Sequence, residues 1–365
     1  SNKWMRAGYG KILREFFSKY KVISLIELGP GVFKNATVDT NIILIKNKKG
    51  NYNTKALKLQ SMDTYNNLID EFKSNSITIS NLSSNSWNIL TEEENSLISK
   101  IDSVSKPLKD WNIKIYRGIL TGLNEAFIID QTTYKKIVSI DTSSKNIIEP
   151  ILQGKDIIKY GYKWNDIYLI NTRFDLNVQK KYPTVYEHLK KYEKDAKKRE
   201  DQGKNWFNLR ACDYYEDFKK EKIVWKRIGS VLRFGYDNKG YYGQDSTCIM
   251  TGDNLIYLCA YMNSKIGQML LFDKAPKTGT GDLIVSVQAL EPLLIPVITK
   301  ENQNIVKKIE AIVKEIIKKN ELGKKTVELE VEIDNLFYQM LELNSQEIEL
   351  INEKMKTNLG RRYYE

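Results

Sequence analysis

Apolar residues along this chain recur with two different periods. Ile12, Leu13, Phe16, Phe17 and Tyr20 fall at helical spacing and predict a helix near the amino terminus. Val22 to Leu28 is a short apolar run bounded by Gly29-Pro30-Gly31, which predicts a strand ending in a turn. Thr37 to Lys46 and Lys55 to Gln60 predict two more strands, the first nearly all apolar and so expected to be buried on both faces. Residues 1–60 thus hold one helix and three strands, too few to close a sheet. They read as the edge of a larger α/β domain.

Residues 61–105 are polar, with helices expected over 61–72 and 91–101. The second opens on Thr91-Glu92-Glu93-Glu94, where Thr91 can cap and Glu94 can complete a capping box. Glu71-Phe72-Lys73 looks like the tail of a Mg²⁺ nuclease motif, but no Pro-Asp pair precedes it, and it reads as a solvated helix face.

From residue 106 the period shortens. Ile113 to Arg117 alternates, Gly118 to Asn124 is a turn and Ala126 to Ile129 a second strand. This predicts a hairpin in which Gly118, Gly122 and Asn124 supply positive backbone angles. Ile223 to Arg227 and Val231 to Phe234 predict another strand pair, followed by Tyr241-Tyr242 and Thr247 to Met250. Between the pairs, residues 178–199 read as one strongly basic helix with Lys180, Lys181, Lys190, Lys191, Lys194, Lys197, Lys198 and Arg199. Leu255 to Leu271 predicts a helix. Glu291 to Pro296 closes the block, its prolines barred from central strands and helix interiors. Two apolar stripes beyond Lys300 predict two antiparallel helices.

Charge adds a second layer. The 365 residues carry 57 basic and 46 acidic side chains, a net charge of +11 that favours a polyanionic partner. Residues 1–60 are +9, 61–105 are −5, 106–300 are +9 and 301–365 are −2. Two basic blocks flank an acidic connector, and both are candidates for phosphate contact; a Lys- and Asn-rich coding bias is the alternative. Trp206-Phe207-Asn208-Leu209-Arg210 mixes groups that suit nucleic acid, Arg for phosphate or guanine edges, Asn for adenine, aromatics for stacking. The same residues also fit a core with a solvated rim.

With His188 as the single histidine, neither a Ser-His-Asp triad nor a multi-His metal site is expected. Cys212, Cys248 and Cys259, 36 and 11 residues apart, match no zinc pattern and fit a reducing cytoplasm. No apolar run is long enough to span a bilayer. Glu27-Leu28-Gly29-Pro30-Gly31 has the look of a loop for S-adenosylmethionine, but another strand follows it within a few residues, and no strand-end carboxylate stands ready for a ribose. Thr278-Gly279-Thr280-Gly281 lacks a Walker lysine.

Ile115-Tyr116-Arg117-Gly118-Ile119-Leu120-Thr121-Gly122-Leu123-Asn124-Glu125-Ala126-Phe127-Ile128-Ile129 resembles the opening of the Taq-type C-terminal specificity domain of fused restriction-modification enzymes and adenine-specific DNA methyltransferases. Ile151 to Ile157, Lys222 to Ile228, and Tyr261-Met262-Asn263-Ser264 leading to Pro292 and Pro296 resemble its later pattern. Glu332 to Tyr338 with Gln346-Glu347-Ile348 looks like its C-terminal helix, and residues 2–46 look like the last segment of the preceding methyltransferase domain. The family's Asn/Asp-Pro-Pro-Tyr/Phe tetrapeptide is absent, since the seven prolines at 30, 107, 150, 183, 276, 292 and 296 are nowhere adjacent. Ser1-Asn2-Lys3-Trp4-Met5 has neither a start methionine nor a targeting segment.

The resemblance implies an α+β chain in four parts: 1–60, the edge remnant of an α/β methyltransferase sheet; 61–105, a polar helical connector; 106–298, a mixed, β-rich target-recognition domain; and 299–365, C-terminal helices. It implies a cytoplasmic DNA-recognition part of a type II restriction-modification enzyme. The full-length parent would transfer methyl from S-adenosylmethionine to a flipped adenine, with Mg²⁺ if a nuclease is present. Double-stranded DNA and the missing N-terminal methyltransferase part are the expected partners, and no methyl transfer is expected from this chain alone. The residues expected on DNA are Arg117, Thr121 and Asn124 at the first hairpin, Arg210, and Lys226, Arg227 and Arg233 at the second, with Lys274 and Lys277 on phosphate from the Gly-rich loop. Two rivals stand beside this reading: a non-enzymatic specificity subunit of a multi-chain system, for which no second copy of Arg117–Ile129 is found, and a self-sufficient methyltransferase using Glu27–Gly31.

Overall fold

A computed structural model describes residues 2–6, 8–29, 32–33, 40–59, 67–80, 82–276, 278 and 282–359. The chain divides into two units, Ser1–Lys100 with Lys277–Asp282, and Ile101–Pro276 with Leu283–Glu365. Among the described residues no helix is long and apolar enough to cross a membrane.

In the first unit the amino-terminal runs fold into α1 (Lys11–Ser18), β1 (Tyr20–Gly29), β2 (Thr40–Lys49) and β3 (Thr54–Lys58). After α2 (Leu68–Asn75), β4 (Ile77–Ile79) joins them, giving the order β2-β1-β3-β4 with β1 and β3 parallel. Val22, Leu25 and Ala56 pack with Met5, Trp87 and Ile89; Ile26, Leu57 and Leu59 pack with Leu28, Leu68 and Phe72. The expectation that residues 37–46 are buried on both faces is corrected. β2 is the sheet's edge among the described residues, and Ile42 and Leu44 remain 43% and 53% exposed. The connector expected to be helical also contributes a strand, Ile77–Ile79, which pairs with β3. α3 (Glu92–Ser103) has the expected capping box: Thr91 Oγ1 accepts from Glu94 N–H, and Glu94 Oε2 from Thr91 N–H.

The second unit is mixed α+β. It runs through β5 (Ser105–Pro107), β6 (Ile113–Arg117), α4 (Asn124–Phe127), β7 (Ile128–Asp130), α5 (Gln131–Ile140), β8 (Ile148–Leu152), β9 (Ile157–Ile158), β10 (Gly161–Tyr162) and β11 (Ile167–Ile170). Three short helices follow, α6 (Val178–Lys181), α7 (Pro183–Lys190) and α8 (Glu193–Ala196). Then come β12 (Lys222–Lys226), β13 (Ile228–Gly229), β14 (Phe234–Asp237), β15 (Tyr242–Gly243) and β16 (Thr247–Gly252). α9 (Leu255–Asn263), α10 (Lys265–Lys274), β17 (Leu283–Ile284), α11 (Val287–Leu290) and β18 (Leu294–Pro296) lead to α12 (Gln303–Glu321), α13 (Val327–Met340) and α14 (Ser345–Leu359). One four-stranded sheet has the order β14-β12-β16-β6 and another β15-β8-β11-β7. Pro107 and Pro296 sit in the two-stranded β18-β5 pair, where missing N–H groups cost least.

The hairpin expected over 113–129 does not form. β6 takes the free edge of β16 through five antiparallel pairs, whereas β7 pairs with β11 in the other sheet. A second hairpin does form, β12 against β14, but its return strand is Phe234–Asp237 and not the expected Val231–Phe234. The expected basic helix is broken in two places, at Tyr182–Pro183, where Pro183 opens α7, and around Tyr192. The helix expected over 255–271 breaks at Ser264, whose Oγ accepts from Gly267 N–H and caps α10. Asn263, just before the break, binds the Phe234 backbone through both ends of its amide. Among the described residues the C-terminal region holds three helices, because Glu342 turns the chain with φ 51° and Asn344 and Glu347 form a capping box for α14.

Candidate nucleic-acid interface

Strand register explains how separate basic residues come together. Across the β14-β12-β16-β6 sheet, Phe234, Trp225, Cys248 and Arg117 form one row, and Lys226 pairs with Thr247 in the next. That register puts the end of β6, the start of β16, the end of β12 and the start of β14 on the same rim of the sheet. Arg117 closes β6, Lys226 closes β12, Arg227 follows it and Arg233 immediately precedes β14. Alternation sends Arg117 to the Trp225 and Cys248 face and Lys226 to the opposite one. Arg227 returns to the first: burial pushes the Cys248 thiol up to about 11, while the Arg227 and Arg117 guanidiniums pull it down. Arg117, Lys226 and Arg233 are exposed, and Arg227 is half-buried with no hydrogen-bond partner for its buried Nε.

The rim is held by close backbone approach. A Cβ at Gly118 would lie 1.8 Å from the Gln244 carbonyl oxygen, so only glycine lets the chain leave β6 at that point. Gly118 N–H donates to Thr247 O, and Ile119 N–H to Gly243 O. The stem of Lys226 lies over Gly154, whose own N–H donates to Ser246 Oγ.

Arg210 approaches the rim from another loop. Burial raises the Tyr214 hydroxyl, with Arg210 and Arg117 both acting in the opposite sense, so one phenol feels both cations. Tyr214 stacks on Tyr116 at 4.5 Å and 11°. Gly118, Ile119, Arg210, Cys212 and Tyr214 line a small cleft between the two segments. Arg210 pairs with Asp201 at 3.4 Å, both half-exposed, a contact that holds the guanidinium only weakly.

Other expected residues have different places. Thr121 is 1% exposed; its hydroxyl donates to Asn124 Oδ1 at 2.7 Å and accepts from Leu123 N–H. It therefore shapes the turn instead of facing a ligand. Asn124 is exposed at the start of α4. Of the three residues expected to take positive φ, only Gly122 does, at 68°. Asn208 is fully buried, with Nδ2 2.9 Å from the Thr172, Arg173 and Leu176 carbonyls, so its amide is spent on the fold and not on a base edge. Lys274 closes α10 with Nζ 3.5 Å from Pro292 O, and Lys277 lies outside the described residues. His188 is part-buried, with Nε2 3.2 Å from Ala126 O; burial pulls its pKa down.

Sequence reasoning missed Arg173, whose guanidinium carbon lies 5.0 Å from the Tyr215 ring and whose Nη2 meets Glu216. It also misassigned Arg199, which is 7% exposed among exposed lysines. The available signal was that Arg199 is the one arginine in a run of lysines.

In the first unit, Glu27 is 3% exposed and bound by Arg6 through both carboxylate oxygens at 2.7 Å and by Asn2 Nδ2 at 2.9 Å. A carboxylate neutralised in this way anchors the amino-terminal turn and is not available to a cofactor. Pro30 and Gly31 lie outside the described residues.

Residues 149–293 match the family model of the TaqI-like C-terminal specificity domain. The match bears out the resemblance read from the sequence and contains Arg210, Lys226, Arg227, Arg233 and Lys274; Arg117, Thr121 and Asn124 precede it. The type II methyltransferase M.MjaIV of Methanocaldococcus jannaschii is 25% identical over 247 residues, 63% of this chain and 80% of that protein. The type IIL restriction-modification enzyme MmeI, solved in complex with DNA, aligns with a TM-score of 0.54 and 10% identity over 94% of this chain. This chain covers 46% of the MmeI chain, less than half its length, and the likeness speaks to fold alone.

Proposed function

We propose that this chain is the DNA-recognition part of a type II restriction-modification methyltransferase specific for adenine. One observation carries the reading. Sheet register gathers Arg117, Lys226, Arg227 and Arg233 on a single rim, and most of that rim lies inside the segment matching the TaqI-like specificity domain. An ammonium such as Lys226 neutralises a phosphate as a point charge, whereas a guanidinium such as Arg227 can address guanine O6 and N7 together. The Tyr116–Tyr214 stack stiffens the wall behind them.

In this reading the parent transfers methyl from S-adenosylmethionine to an adenine turned out of the duplex, and a further N-terminal part supplies the methyl-donor site and the catalytic tetrapeptide. The residues present do not fit that cofactor, because Glu27 is already taken by Arg6 and Asn2. This also argues against the self-sufficient methyltransferase. Mg²⁺ enters only with a nuclease in the parent, and the setting is the cytoplasm. A free-standing specificity subunit is the second reading.

The test is direct. The purified chain is incubated with a randomised duplex pool, and the bound fraction is sequenced. Enrichment of one short motif, with no heat of binding to S-adenosylmethionine, is the expected result. Uniform retention of all sequences, or measurable cofactor binding, would overturn the proposal.

A further inference from the structure

Arg199 is a buried cation that donates hydrogen bonds to four backbone carbonyls. Its Nε meets Ala196 O at 3.2 Å, Nη1 meets Thr121 O at 2.6 Å, and Nη2 meets Trp206 O at 2.6 Å and Asn208 O at 3.0 Å. The guanidinium carbon lies 4.4 Å from the centroid of the Phe127 ring, which supplies a cation–π contact from α4. Burial lowers its pKa to about 10, so it remains charged at neutral pH. Removing a charge from water is costly unless its donors are satisfied, and here the fixed fork is matched by four carbonyls.

Those carbonyls belong to segments far apart in sequence. Thr121 O lies in the turn whose Thr121 hydroxyl holds Asn124, and Gly122, next to it, takes φ 68° with the Arg199 stem 3.2 Å from where a Cβ would sit. Trp206 O and Asn208 O lie in the loop that leads directly to Arg210, and Leu209 N–H donates to Thr172 O to fix its exit. The exposed lysines around Arg199 do nothing comparable: Lys197 and Lys198 pair with Glu193 and Asp195 on the surface. A lysine at 199 would present a compact ammonium without the planar fork that reaches both segments.

We infer that Arg199 is a positioning residue for DNA readout, tying the turn that carries Asn124 to the loop that carries Arg210 so that the two form one recognition surface. The inference rests on the recognition reading above. It requires that Arg199 itself touch no DNA.

The test compares Arg199→Met and Arg199→Lys with the parent sequence. Two duplexes serve as probes, the one enriched from the randomised pool and a scrambled duplex of equal composition. R199M should reduce the ratio of the two affinities by about tenfold. Its affinity for the scrambled duplex should stay within about twofold, and its salt slope should be unchanged. R199K keeps the charge but not the fork and should lose most of the same ratio; it decides the matter if circular dichroism shows R199M unfolded. A preserved ratio in a folded variant overturns the inference. So does equal weakening on both duplexes with the salt slope reduced by about one, the mark of a phosphate contact. Failure of the unsubstituted chain to enrich any sequence would instead defeat the recognition reading itself.

Discussion

The Lys222–Asp237 pair offers the sharpest test of how the recognition hairpin is held. Both side chains are fully buried, at the end of the β12–β14 hairpin opposite the cationic rim. The Lys222 ammonium donates to Asp237 Oδ2 and to the Phe218 and Lys220 carbonyls. Asp237 accepts in addition from Tyr162 Oη and from the Lys239 and Tyr241 N–H groups. Burial pulls the Lys222 pKa down, and Asp237 opposes that pull. In Lys222→Met the carboxylate keeps three neutral donors but loses its counter-charge, and two carbonyls lose a donor. Removing one partner of such a pair costs about 3–5 kcal/mol. At ~2–4 °C per kcal/mol for a unit of this size, Tm should fall by roughly 6–20 °C. Urea and thermal unfolding measure this loss, and the double variant Lys222→Met/Asp237→Asn should recover part of it, because a neutral amide has no charge to desolvate while its oxygen still accepts from the neighbouring donors. A K222M loss below about 1 kcal/mol, or a double variant no better than the single, would refute the argument.

Four further variants probe the same structure. Asp334 is 7% exposed and accepts from Lys265 N–H at 2.8 Å; burial raises its carboxyl pKa from 3.8 to about 6. The folded state therefore holds this proton more tightly than the unfolded one, and its stabilising contribution, complete below the unfolded pKa, is lost as pH rises through about 6. Asp334→Asn should remove about 2–3 kcal/mol of the decline between pH 4 and pH 7 in urea titrations, and an unchanged profile would contradict the assignment. Gly118→Ala, with its Cβ driven onto the Gln244 carbonyl, should cost at least about 2 kcal/mol in urea unfolding and weaken DNA binding by displacing Arg117. Lys226→Ala should weaken the enriched and scrambled duplexes alike and flatten the salt slope by about one, whereas Arg227→Ala should cost about 1–3 kcal/mol on the enriched duplex alone.

Much of this was legible in the sequence where a local signal and a tertiary demand agree. Thr91 with Glu94 announces a helix start, and Pro107 and Pro296 announce marginal strands. The ordered strings from Ile115 to Ser264 point to the specificity domain with no knowledge of strand pairing. What failed was pairing. Ile113–Arg117 and Ala126–Ile129 look like hairpin partners because they are neighbours, yet β6 pairs with a strand more than a hundred residues away, a non-local choice that no local period encodes. The basic run of residues 178–199 conceals a functional distinction as well. Its lysines are solvated, whereas Arg199 is buried, and only the change from ammonium to guanidinium marks the difference. Asn208 shows the converse error: an amide of the right type for adenine is consumed by three backbone carbonyls.

On the proposed function, the rim formed by Arg117, Lys226, Arg227 and Arg233 reads DNA sequence. The most direct measurement is the ratio of the chain's affinities for its enriched duplex and for a scrambled one at fixed physiological salt. The expected ratio is about 10³ or more, collapsing when these four residues are replaced together. A ratio near one in the unsubstituted chain, or a large ratio that survives loss of all four, would contradict it.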